Sequence, residues 1–114
     1  MEKLSKREQI LQYKERKVIG GVYAIKNNEN GKMLLQSTAD LHGIRNRFEF
    51  SLKTGSCIHT KLQNDWTKFG YGAFHLEILE ELEKKEDQSP REFSSDVKTL
   101  EDLWREKFEQ NQLY

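Results

Sequence analysis

The 114-residue chain has one proline, one cysteine, no net charge at neutral pH and no long apolar run, and each shortage removes a class of answer. A single proline among 33% charged residues fits a rather helical protein with few long irregular loops. Cys57 alone cannot close an internal disulfide, and with His59 two residues on it offers at most two of the four ligands of a closed zinc site. No stretch approaches the ~20 apolar residues of a membrane span, and Met1-Glu2-Lys3-Leu4-Ser5-Lys6-Arg7 lacks the apolar core of a signal peptide. No membrane partner is expected, and the expected location is cytoplasmic. Zero net charge argues against coating nucleic acid by bulk electrostatics.

What is present is charge in two blocks. Residues 1–75 carry 13 Lys and Arg against 7 Asp and Glu, whereas residues 76–114 carry 6 against 12, a surplus of six charges of opposite sign in each. A basic face follows if the first block folds together, and a merely solubilising mixture follows if the blocks interleave in space. With 35% hydrophobic residues the chain supports one compact domain and little core beyond it.

The thin stripe Leu4, Ile10, Leu11, Val18 predicts a helix over residues 3–17, inside an N-terminal extension of residues 1–19 that precedes the domain at 20–114. Residues 21–27 and 32–37 read as two strands, since Tyr, Val and Ile suit strands and Asn30-Gly31 supplies the positive φ angles of a type I′ turn. Val22 and Ala24 then share one face, Tyr23 and Ile25 the other. Beyond a cap at Thr38 or Asp40, the spacing of Leu41, Ile44, Phe48 and Leu52 predicts a helix over 40–52. Leu62, Trp66 and Phe69 predict another over 59–69, stopped by Gly70. Residues 73–80 alternate with period two and read as a third strand, with Phe74, Leu76 and Ile78 inward, and the polar stretch 80–88 reads as a mobile connection. Ser89, Pro90 and Glu92 make a helix-start signature, after which Phe93, Val97, Leu100, Trp104 and Phe108 form the inner face of a helix over 90–111. The fold class is therefore α+β, a small three-stranded antiparallel sheet flanked by helices.

In order and spacing, Gly21-Val22-Tyr23, the hairpin behind it, Ser37-Thr38 with Asp40-Leu41, Lys61 to Gly70, and Phe74 to Glu80 resemble the GIY-YIG nuclease family over residues 20–108. The resemblance implies a nuclease fold in which a tyrosine from each of two motifs projects into a nucleic-acid cleavage site. It also implies in-line attack by water, with a glutamate-held metal and an arginine stabilising charge on the phosphate. The second motif departs from the pattern, reading Leu34-Leu35-Gln36 here.

Carried over residue by residue, the resemblance makes Tyr23 the catalytic tyrosine, while Leu34, in place of the second, has no proton to transfer. Strict counting puts Ile44 where the family has its arginine. Arg45 is the catalytic candidate beside it, but one residue is about 100° around a helix, so Arg45 reaches the site only if Gly43 lets the helix start shift. Phe48 and Glu49 stand where a histidine or tyrosine is expected. Glu101, three residues before Trp104, is the implied metal ligand, for Mg2+ or Mn2+ if the site is active. Simpler roles stay open, aromatic packing for Tyr23 and a solvated helix face for Glu101.

The leading expectation is a nucleic-acid-binding protein of GIY-YIG fold, with DNA as partner, Arg47, Lys53, Lys61 and Lys68 as phosphate contacts, and cleavage reduced or lost. One alternative is an active metal-dependent endonuclease using Tyr23, Arg45 and Glu101, with His42 or His59 as proton carrier. Another is a protein-interaction module on the same scaffold, using residues 80–88 or the first helix. The geometry around Tyr23 separates them. Arg45 and Glu101 directed into one open groove favour cleavage, whereas Leu34 and Ile44 closing that groove do not.

Overall fold

A computed structural model describes residues 17–114. Strands β1 (Ile19–Asn27), β2 (Met33–Thr38) and β3 (Phe74–Glu83) form one antiparallel sheet in the order β2-β1-β3. Between β2 and β3 lie helices α1 (Leu41–Thr54) and α2 (Gln63–Phe69), and α3 (Pro90–Arg105) follows β3. The helix expected over 3–17 falls, but for Lys17, outside the described residues. No helix among the described residues is long and apolar enough to cross a membrane.

Alternation along β1 fills two layers, because the central strand has neighbours on both faces. Tyr23 and Ile25 join Leu34 of β2, Leu41, Ile44 and Phe48 of α1, and Leu62 and Trp66 beside and within α2. Val22, Ala24 and Leu35 point the other way, where Phe93 and Val97 of α3 are buried. Each such side chain contributes on the order of 1.5–3 kcal/mol by leaving water. Gly20 is required by this packing, since a Cβ there would sit 2.5 Å from Thr38 O and 3.0 Å from the Phe93 ring.

Both long helices start as their caps dictate. Asp40 Oδ1 accepts from Gly43 N at 3.0 Å, and Ser89 and Glu92 complete a reciprocal capping box behind Pro90. Gly43 gives its neighbour room rather than shifting the helix: a Cβ there would lie 2.5 Å from Asp40 Oδ2, while Ile44 N already bonds Asp40 O at 3.2 Å. The helix is regular from its first turn, so Ile44 keeps the inward position.

Four local expectations need correction. The hairpin is not a type I′ turn, because no non-glycine residue among those described has positive φ; a four-residue loop closes with Gly31 at φ 74° and the bond Gly31 N to Asn27 O. Asn27 and Asn30 side chains accept from Glu29 N and Lys32 N, which the shorter turn would not need. Residues 80–83 are strand rather than mobile connection, since β1 begins early enough to pair Ile19 with Glu83. The last helix ends at Arg105 instead of running to 111, and the chain turns back so that Tyr114 N bonds Met33 O at 2.9 Å. Its inner face is Phe93, Val97 and Glu101, with Trp104 half-buried at the margin.

A bulge sets the far end of β3. Tyr23 pairs with Ile78 but Val22 pairs with Glu80, which leaves Leu79 extra and exchanges the faces of everything beyond it. Glu80 therefore joins the α3 side, accepting from Trp104 Nε1 at 2.7 Å, and Glu81 joins the α1 side, 3.7 Å from Arg45. Gly21, beside the bulge at φ 154°, has no room for a side chain, because a Cβ would lie 2.0 Å from Glu80 O.

Candidate nucleic-acid interface and active site

Tyr23 is held by the central strand with only 3% of its surface exposed, and its hydroxyl lies 3.2 Å from His59 Nε2. The loop carrying His59 is fixed from below, where the Cys57 thiol donates to His59 O at 3.0 Å. Burial pushes the Tyr23 hydroxyl up to about 12, opposed by the Arg47 guanidinium and reinforced by the Glu101 charge. At neutral pH only about one phenol in 10⁵ is then ionised, so Tyr23 is a hydrogen-bond donor and not a phenolate base. Burial, with Arg47 and Lys61 nearby, lowers His59 from its usual range. A neutral imidazole protonated at Nδ1 leaves Nε2 free to accept from Tyr23.

Helix geometry decides which arginine reaches this pair. Arg45 and Arg47 are two residues apart, about 200° around α1, and so lie on opposite flanks of the Leu41, Ile44, Phe48 stripe. Arg45 turns toward Glu81, and it is Arg47 whose charge acts on Tyr23 and His59. Leu34 at 1% and Ile44 at 2% exposure pack in the same buried cluster as Tyr23, closing with apolar atoms the space a second tyrosine and an arginine would need. Of the two candidate proton carriers, His59 is at the site, whereas His42 is within hydrogen-bond distance of Asn46 on the exposed side of α1.

Glu101 belongs to the α3 layer. Its Oε1 accepts from Ser37 Oγ at 2.9 Å, and its Oε2 accepts from Lys98 Nζ at 2.6 Å and Arg105 Nη2 at 2.9 Å. Burial works against ionisation, but the bonds from Lys98, Arg105 and Ser37 outweigh it and hold the carboxyl below its ordinary range. These residues do not fit a divalent metal. Magnesium takes carboxylate oxygen with its own waters, whereas both oxygens here are engaged and two cations stand where the ion would be. Among the described residues there is no group of three or more His, Cys, Asp or Glu able to hold a metal. The spacing Lys98, Glu101, Arg105 is legible as an ion-paired helix face, and it is the signal that would have revealed this use of Glu101.

The four candidate phosphate contacts share one property. Among the described residues, Arg47, Lys53, Lys61 and Lys68 form no ion pair, as Lys32, Lys84, Lys85, Arg91 and Lys107 do not, while Lys26, Arg45, Lys98 and Arg105 all do. Lys61 sits in the turn Thr60–Leu62 next to His59, Lys53 ends α1, and Lys68 lies 5.1 Å from the Phe69 ring centroid at the end of α2. Of the four acidic residues of β3, Glu77, Glu81 and Glu83 are instead drawn to Lys26, Arg45 and Lys17.

No protein-family model matches the chain, and no curated protein is significantly similar to it. Among solved structures, the catalytic domain of homing endonuclease I-TevI is similar at 27% identity, covering 83% of this chain and 95% of that one, with a TM-score of 0.59. A variant of the catalytic domain of intron endonuclease I-TevI shares 29% identity over 72% of this chain and 84% of that one, with a TM-score of 0.45. The three-stranded sheet and the helices that cover it match the fold of the I-TevI catalytic domain, and with the first motif Gly21-Val22-Tyr23 they support a GIY-YIG-like family for this chain.

Proposed function

We propose that the chain binds nucleic acid, DNA foremost, across the Tyr23 face and has lost efficient phosphodiester hydrolysis. The observation that carries this reading is the state of Glu101: the carboxylate that the resemblance assigns to a metal is saturated by Ser37, Lys98 and Arg105. Without a metal-bound oxygen and with Leu34 and Ile44 filling the adjoining space, neither activation of water nor relief of phosphate charge has a complete set of groups. The electrostatic part of binding survives such losses, because it depends on the uncompensated cations Arg47, Lys53, Lys61 and Lys68 rather than on the reacting groups.

A second reading, a slow endonuclease, draws on one observation, the hydroxyl of Tyr23 directed at a neutral His59. In that pair the imidazole would take a proton from water or from Tyr23, and Arg47 would meet the phosphate. Plasmid nicking with Mg2+ or Mn2+ decides between the two, alongside titration of a labelled duplex and a single strand at low salt. The expected outcome is salt-sensitive binding with no nicking above background, equal for wild type, Glu101→Ala and Tyr23→Phe. Robust nicking lost in both variants overturns the binding-only reading, and failure to bind either probe overturns both in favour of a protein-interaction module.

A further inference from the structure

Phe50 is the most exposed large apolar side chain among the described residues, at 65%, and it stands on the outer arc of α1. Arg47 and Lys53 lie three residues before and after it, each about 60° around the helix and about 4.5 Å along it. The arc reads Gly43, Asn46, Arg47, Phe50, Lys53, Thr54; the Asp40 carboxylate lies against its Gly43 end, and Glu49 borders it beside Phe50. Neither cation is ion-paired among the described residues, and Arg47 is also the charge felt by Tyr23 and His59. Around Phe50 the arc thus sets an exposed aromatic ring between two positive charges that form no ion pair among the described residues.

Resting on the nucleic-acid reading above, we propose that Phe50 is a stacking platform for an unpaired nucleobase, with Arg47 and Lys53 on the flanking phosphates. The bound nucleic acid then carries single-stranded nucleotides at this position. A base inside a duplex already has both faces stacked and offers a ring on a convex helix only its edge, whereas every unpaired base has a free π face. Two cations bracketing the ring complement the backbone on either side of that base, which an apolar protein partner would leave unpaired. Phe50 itself makes no contribution to the buried core, so its exposure carries no folding role.

The test is fluorescence anisotropy with the full chain, a labelled 12-nucleotide single strand and a blunt duplex of the same length, over a salt series. Phe50→Ala is expected to weaken single-strand binding about ten-fold, as loss of one stacked base does, with the salt slope unchanged and duplex binding altered less than two-fold. Phe50→Trp should retain single-strand binding and Phe50→Leu should not, which separates stacking from apolar bulk. Arg47→Ala should weaken both probes and reduce the slope by about one. Because Phe50 is a surface residue, thermal midpoints of its variants should match wild type and exclude misfolding. Wild type that binds both probes, with Phe50→Ala indistinguishable or equally weakened on both, overturns this inference alone. Wild type that binds neither overturns it together with the nucleic-acid reading.

Discussion

Arg105 joins Glu101 to the sheet: one Nη2 donates to Glu101 Oε2 at 2.9 Å and to Leu35 O, on the open edge of β2, at 3.0 Å. The guanidinium thus satisfies a strand carbonyl that has no neighbouring strand and at the same time neutralises a carboxylate that is 3% exposed. The group that the family resemblance assigns to a metal serves here as a strut between α3 and β2. Its loss should be felt as instability before it is felt as anything catalytic.

Glu101→Gln is expected to destabilise the protein by roughly 1–3 kcal/mol at pH 7, the cost of leaving buried hydrogen-bonding groups poorly paired. Lys98 is largely exposed and Arg105 partly so, and solvent screening keeps the loss toward the lower end. The folded carboxyl is held below its unfolded value of 4.5, so its stabilising contribution is complete above that pH and disappears as pH falls through the depressed folded value. Urea denaturation at pH 7 and at stepwise lower pH reads both effects. A variant whose stability difference from wild type does not shrink in acid would remove the charge from this account.

His59 should titrate below 6.5 in the folded chain, chiefly because it is buried. The unfolded state then binds a proton that the folded state resists, so His59 lowers stability as pH falls below 6.5, and the effect levels off below the folded value. Arg47→Ala removes the larger of the two opposing charges and should raise the His59 titration without restoring it fully, while moving Tyr23 further up from about 12. Proton NMR of the imidazole across pH 4–8 measures the first shift. No movement in that variant would mean Arg47 does not address the site.

Phe93→Ala should cost roughly 3–5 kcal/mol, since the ring is 1% exposed beneath α3 and its removal leaves a cavity. Trp104→Ala should cost distinctly less, roughly 1–2 kcal/mol, because the indole is half-buried and loses mainly its bond to Glu80 and its contact with Phe108. Thermal melts of the two variants rank them directly. A larger loss at Trp104 would mean the buried face of α3 lies elsewhere.

Lys61→Ala and Lys68→Ala should each weaken duplex and single strand alike and lower the salt slope by about one, as loss of a phosphate contact does. Arg45→Ala should change the slope little, because that guanidinium already faces Glu81 at 3.7 Å. Anisotropy titrations between low and physiological salt give the slopes. An Arg45 variant with the largest effect would place the binding face on the other flank of α1.

Elements whose signals are local can be read from the residues alone. Asp40 and Ser89 start their helices through side-chain bonds to residues three positions on, and the three-to-four spacing of Leu41, Ile44 and Phe48 needs only the helix period to define a buried face. The motif Gly21-Val22-Tyr23 was legible for the same reason, and so was the loss at Leu34. Tertiary structure decided what spacing cannot encode. Strand partners extended β3 through Glu83, and one extra residue at Leu79 exchanged the layers that Glu80 and Glu81 face. Only packing across the sheet brought His59 to Tyr23, a contact spanning 36 positions, and made Arg47 rather than Arg45 the arginine whose charge acts on them. Glu101 reads in sequence as one of many helix glutamates. Its role was fixed by Ser37 arriving from β2, because an isolated carboxylate in a helix interface is tolerated only where donors from separate parts of the chain converge on it.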